Sequence, residues 1–121
     1  MKTKTQEFIQ KFNEAFATND IRFIEESVTD DVVWIMKGDT VINGKSEMVE
    51  TLNNMDNGGS FELTIDHIIT HGKTAAANGT MKVINSTGED GAIYAFCDIY
   101  KLSSSKDGKI KELTSYLIEE K

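Results

Sequence analysis

Proline is absent from this sequence, cysteine occurs once, and basic residues are outnumbered, with 13 Lys and Arg against 20 Asp and Glu. The lone Cys97 rules out an internal disulfide and suits a reducing compartment, so a cytoplasmic location is expected. A net charge of −7 repels phosphate backbones, and no basic stripe interleaved with aromatics offsets it, so nucleic acid is not an expected partner. No apolar run approaches the roughly 18 residues of a membrane span. The charged, amphipathic start MKTKTQEFIQKF is also unlike a signal peptide, so no membrane association is expected. Missing too are the G-x-S-x-G elbow of a serine hydrolase, a glycine-rich phosphate loop, and any Cys, His or carboxylate grouping with metal-ligand spacing. Neither a metal nor a cofactor is expected. The want of proline carries no functional reading.

What is present suffices for one domain over residues 1–121. With 39% hydrophobic residues, a chain of this length buries about two-thirds of its unfolded surface and needs no covalent staple. Phe8, Ile9, Phe12, Ala15 and Phe16 recur at spacings of three and four, which predicts a helix over Thr5 to Ala17. Asn19-Asp20 ends it and offers a cap to a short helix, Ile21 to Val28. Asp30-Asp31 reads as a turn into a strand from Val32 to Met36, followed by a short strand, Thr40 to Ile42, between two glycine turns. A third helix, Ser46 to Met55, carries Met48, Val49, Leu52 and Met55 on one face. After a loop at residues 56–60 the pattern becomes strand after strand: Phe61 to Thr70, Thr74 to Asn85, Gly91 to Ser103 and Lys109 to Glu119. Helices first and a meander afterwards predict an α+β domain, with three N-terminal helices on one face of a curved, mostly antiparallel sheet.

The segments NDIRFIEESVTDDVVW, ITHGKTAAANGTM, FCDIYKL and KIKELTSY, in this order, resemble the nuclear transport factor 2 superfamily, and within it the small SnoaL-like bacterial proteins. The resemblance covers essentially the whole chain. It implies a cone-shaped α+β barrel with an apolar cavity, commonly dimeric through the outer sheet face. Members include ketosteroid isomerase, scytalone dehydratase, limonene epoxide hydrolase and polyketide cyclases, alongside non-catalytic association modules, so function has to be argued from the site. Against ketosteroid isomerase three functional positions align. The oxyanion-hole aspartate falls on Asp98, the oxyanion-hole tyrosine on Phe12 and the base aspartate on Met36. Two of the three are lost, which argues against steroid isomerisation by that mechanism.

Asp98 is the candidate that matters, because an aspartate inside AFCDIYKL is out of place in a buried strand. Strand alternation allows two readings. In one, Tyr94, Phe96, Asp98, Tyr100 and Leu102 face inward; in the other, Ile93, Ala95, Cys97 and Ile99 do, and Asp98 meets water. The resemblance favours the first, in which Asp98 is an acid–base group or donates to a ligand carbonyl. The same register sends Asn78 inward as its polar partner, and Ser115 adds a hydroxyl. Phe12, Phe16, Trp34, Met36, Met48, Leu52 and Met55 are candidates for the cavity wall, although side chains of this kind are more often plain core. His67 shares a period-two pattern with Leu63, Ile65 and Ile69 and is the candidate second base; the bland reading is a histidine bonded to backbone. His71 sits too far along the strand, about 13 Å at 3.3 Å per residue, to share a metal with it. Cys97 reads as structural.

The expected function is binding of a small, largely apolar or carbonyl-bearing molecule, with proton-transfer chemistry of the isomerase, lyase or cyclase type at Asp98 and His67. The alternative is a non-catalytic dimeric association module. A sheet apolar on both faces favours a homodimer through the outer one.

Overall fold

The computed structural model describes residues 3–55, 60–84, 87–104 and 108–120. The expected loop at residues 56–59, residues 85–86 and 105–107, and the side chain of Met55 lie outside that set. The chain opens with α1 (Lys4–Thr18), α2 (Ile21–Ser27), β1 (Val28–Met36), β2 (Val41–Asn43) and α3 (Lys45–Met55). It then runs through β3 (Ser60–His71), β4 (Thr74–Ile84), β5 (Asp90–Leu102) and β6 (Ile110–Glu120). This is the expected α+β succession of three helices and a long meander. One boundary moves substantially. Asp30 and Asp31 are not a turn but part of β1, which begins at Val28 and changes register against β6 between Val28 and Val33.

Local chemistry explains the helix ends. Thr3 caps α1, its hydroxyl accepting from the Gln6 amide while the Gln6 side chain accepts from the Thr3 amide, a reciprocal capping box. Asn19 closes α1 in the left-handed conformation, and Asp20 caps α2 by accepting from the Phe23 amide.

The six strands form one sheet in the order β2-β1-β6-β5-β4-β3. All pairings are antiparallel except β1 with β6, which run parallel. The sheet is curved and covered by the helices on one face, but β2 and β3 remain edges, so the cone is not a closed barrel. Ile9 and Phe12 of α1, Ile24 of α2, and Met48 and Leu52 of α3 bury against Val32, Trp34, Tyr100, Leu102, Ile110 and Leu113 in a single core.

A second departure from regular pairing lies between β3 and β4. Ile65 pairs with Gly79 and His67 with Asn78, so Asp66 is an extra residue, a β-bulge. A Cβ placed on Gly79 would overlap the Thr64 carbonyl oxygen, so the two backbones approach where only glycine fits. Gly79→Ala is expected to cost about 1–3 kcal/mol through this overlap, read as a lower urea midpoint at unchanged slope. Wild-type stability in that variant would mean that the two backbones are not in close approach.

Candidate functional site

β5 carries Phe96, Tyr100 and Leu102 into the core and leaves Cys97 and Lys101 exposed, so alternation turns Asp98 toward the helical layer. Asp98 is half-buried there, flanked across the sheet by Ala77 of β4 and Ser115 of β6. Tyr100 donates its hydroxyl to Asp98 Oδ2 at 3.2 Å, and Ser115 forms a second hydrogen bond to the carboxyl. Behind Tyr100 stands Asn13 of α1, fully inside the core, whose Nδ2 donates to Tyr100 Oη at 2.8 Å and to the Ile9 carbonyl oxygen at 2.9 Å. Behind Ser115 stands Trp34 of β1, whose indole N–H donates to Ser115 Oγ at 3.1 Å.

A second chain, of aromatic rings, joins the same two ends. Tyr100 meets Phe12 edge-on with centroids 6.1 Å apart, Phe12 meets Phe16 at 5.2 Å, and Phe16 meets Trp34 at 5.7 Å. These edge-to-face contacts suit the ring quadrupoles and hold Tyr100 and Trp34 in position. The carboxyl thus sits on one fixed polar path across the sheet, alongside a fixed apolar one.

Electrostatics follow from this enclosure. Burial raises the Asp98 carboxyl from an ordinary 3.8 to about 6, against the opposing pull of the Ser115 and Tyr100 hydrogen bonds. Burial, and next the Asp98 charge, push the Tyr100 phenol well above its ordinary range, so it stays protonated and remains a donor. A carboxyl that changes charge near neutrality, in an apolar frame, is chemically equipped to take up and return a proton.

The other sequence candidates divide sharply. Asn78 is not the partner of Asp98. The register sets Ala77 opposite Asp98 and Asn78 opposite Cys97, which puts the Asn78 side chain on the outer face. His67 does not face the helices beside Leu63 and Ile65 either. The Asp66 bulge shifts the alternation by one, so Ile68 turns to the core while His67 is exposed, with its Nδ1 3.0 Å from Asn78 Oδ1. The two expected polar groups are therefore bonded to each other, away from Asp98. Phe12, Trp34, Met48, Leu52, Phe96 and Tyr100 are between 0 and 8% exposed, packed as core rather than as the wall of an empty chamber. Phe16, Met36, Tyr94 and Ser115 are half-buried, and these are the candidates left with surface to offer a ligand.

Asn13 was not among the candidates, yet it anchors the polar path. Its signal is in the sequence: an amide at the i+4 position from Ile9, inside the apolar stripe of an amphipathic helix. An open groove of about 430 Å³ lies elsewhere, between α1 and β3, lined by Gln6, Gln10, Glu14, Ile65, Asp66 and His67 among others, and Asp98 does not border it. Among the described residues no group of three or more His, Cys, Asp or Glu is disposed to hold a metal ion, and no helix is long and apolar enough to cross a membrane.

Residues 9–113 match the SnoaL-like domain family. Solved structures with the same fold include an LEH-like epoxide hydrolase of M. tuberculosis, 20% identical over 93% of this chain and 81% of that one, with a TM-score of 0.76. A candidate SnoaL-like polyketide cyclase from Shewanella denitrificans OS-217 is 17% identical over 97% and 92% of the two chains, with a TM-score of 0.81. A ketosteroid isomerase-like protein from Erwinia carotovora atroseptica SCRI1043 is 19% identical over 97% and 98%, with a TM-score of 0.69. At these identities the likeness is one of fold. No curated protein sequence matches the chain significantly.

The raised Asp98 carboxyl makes stability depend on pH with a definite sign. The folded protein holds this proton more tightly than the unfolded chain, so the stabilising contribution is fully present below pH 3.8 and is lost as pH rises through about 6. The stability of wild type minus that of Asp98→Asn is expected to be about 2 kcal/mol larger at about pH 4 than at about pH 7.5, by urea unfolding of both proteins. A difference that does not vary with pH would place the Asp98 carboxyl in an ordinary aqueous setting.

Proposed function

The chain belongs to the SnoaL-like domain family, and from that premise we propose that it binds a small, largely apolar molecule against the inner face of β5, with Asp98 exchanging a proton with it. The single observation that supports this reading is a half-buried carboxyl near neutral proton affinity, aimed into an apolar layer and held by two side-chain hydrogen bonds. Phe16, Met36 and Tyr94 would supply apolar contact. Asp98 would take a proton from the bound molecule and return it at another position, the chemistry of an isomerisation, elimination or ring closure. His67, the expected second base, lies on the other face, and Tyr100 stays protonated, so Asp98 alone serves in both directions. A thermal-shift screen of small terpenoid alcohols and ketones tests this. At least one is expected to raise the melting temperature of wild type and to lose that effect in Asp98→Asn. A screen in which every compound that binds does so equally in the variant would remove Asp98 from the site.

A second reading rests on the opposite face of the sheet. Ile69, Ala76, Ile99, Thr114, Ile35 and Val41 are successive partners in one cross-strand row, and Ile69, Tyr116 and Ile118 are 65, 43 and 69% exposed. An apolar surface of this kind favours cover by a second copy of the chain, and such a dimer could serve association alone. In sedimentation velocity the protein is expected to run as a dimer that Ile118→Lys dissociates, with the exposed Cys97 thiol reacting faster in the variant. A monomer at every concentration would exclude this reading.

A further inference from the structure

We infer that the Asp98 end of the site is a dedicated hydrogen-bond acceptor, so the molecule it takes is a small, largely apolar alcohol or phenol rather than a ketone. This rests on the reading above and names the ligand class of the same site.

Donor direction along the polar path carries the inference. A backbone carbonyl only accepts, so the atom of Asn13 next to the Ile9 oxygen has to be Nδ2, and the same nitrogen faces Tyr100. Both amide hydrogens are thereby assigned, one to Ile9 and one to Tyr100. Tyr100 Oη accepts from Asn13, which leaves its own proton for Asp98 Oδ2. At the other end the indole N–H of Trp34 only donates, so Ser115 Oγ accepts from it and directs its own proton to Asp98. Each path starts at a group that can only donate in that place and ends at the same carboxyl. Neither hydroxyl has a proton left for a ligand.

The consequence is a polarity opposite to that of an oxyanion hole, where donors converge on the ligand's oxygen. Here they converge on the protein's own carboxylate. An ionised carboxylate has about four acceptor directions, of which Tyr100 and Ser115 occupy two. What remains accepts an O–H from a bound molecule and repels the lone pairs of a carbonyl. Met36, next to Ser115 in the same cross-strand row, and Phe16, packed on Trp34, are half-buried and add no charge, which suits a neutral hydroxyl on an apolar body.

Two measurements test this. The first needs no ligand. In Tyr100→Phe, and separately in Ser115→Ala, the Asp98 carboxyl loses a donor to its ionised form, so its pKa by carbon-13 NMR is expected to rise above that of wild type. A fall in either variant would mean that the lost group accepted from a protonated Asp98, which overturns the inference. Ser115→Ala removes one oxygen and keeps the measurement open should Tyr100→Phe not fold. The second uses the matched pair 1-indanol and 1-indanone at about pH 7.5, followed by the shift of the Asp98 signal. The alcohol is expected to bind about tenfold tighter than the ketone. A ketone bound as tightly as the alcohol overturns the ligand class while leaving a site at Asp98. Rising pKa values in the variants, with neither compound moving the Asp98 signal, would uphold the acceptor character and overturn binding of these alcohols there.

Discussion

The carboxyl of Asp98 sets the terms for what surrounds it. A carboxylate withdrawn from water is costly unless donors meet it, and the chain meets the cost with groups from four elements: Asn13 of α1, Trp34 of β1, Tyr100 of β5 itself and Ser115 of β6. Those donors have to be rigid to be of use. Tyr100 and Trp34 are rigid because they also terminate the run of aromatic contacts through Phe12 and Phe16. Packing and polarity are in this sense one design: the rings that fill the core are the rings that aim the donors.

Compared with the ketosteroid isomerase pattern, the change of roles is coherent. The tyrosine expected on α1 is replaced by Phe12, and a tyrosine reappears on β5, two residues from the aspartate and on the same strand face. Transferring the hydroxyl from helix to strand changes what it can reach. From β5, Tyr100 addresses the protein's own carboxyl, and the adjacent helix position is taken by Asn13, which braces it. The base position, Met36, is a half-buried thioether. Fold and residue type alone would have left Asp98 as the survivor of a dismantled site. The hydrogen-bond directions make it instead the point on which the donors of Tyr100 and Ser115 converge.

Much of the architecture was legible in the sequence. The period of three and four in α1, the Asn19-Asp20 break and the alternating strands each reflect a local preference that the tertiary structure respects, and most element ends fall within one residue of expectation. What could not be read was register. Strand alternation alone sets Asn78 and His67 on the helical face, whereas the pairing of Asn78 with Cys97 and the bulge at Asp66, which reverses the rest of β3, turn both outward. The bulge did leave a trace, since Gly79 is a glycine inside a strand, but glycine marks a close approach without saying which way the partner turns. Asn13 was missed for the converse reason. A polar residue within an apolar stripe is visible at once, yet its meaning depends on Tyr100, 87 positions away.

The parallel pairing of β1 with β6 has a consequence of its own. β6 follows every other strand in sequence, yet it lies in the interior of the sheet, with β2-β1 on one side and β5-β4-β3 on the other. Among the described residues the strand pairing that joins the early hairpin to β5-β4-β3 runs through it, so the sheet becomes continuous when residues some 80 positions apart close a loop, the kind of long-range step that slows folding. Ser115 rides on that strand. The hydroxyl that joins Trp34 to Asp98 is therefore put in place in the act that knits the two halves, and a population of molecules with β6 detached would retain much local structure and lack that join altogether.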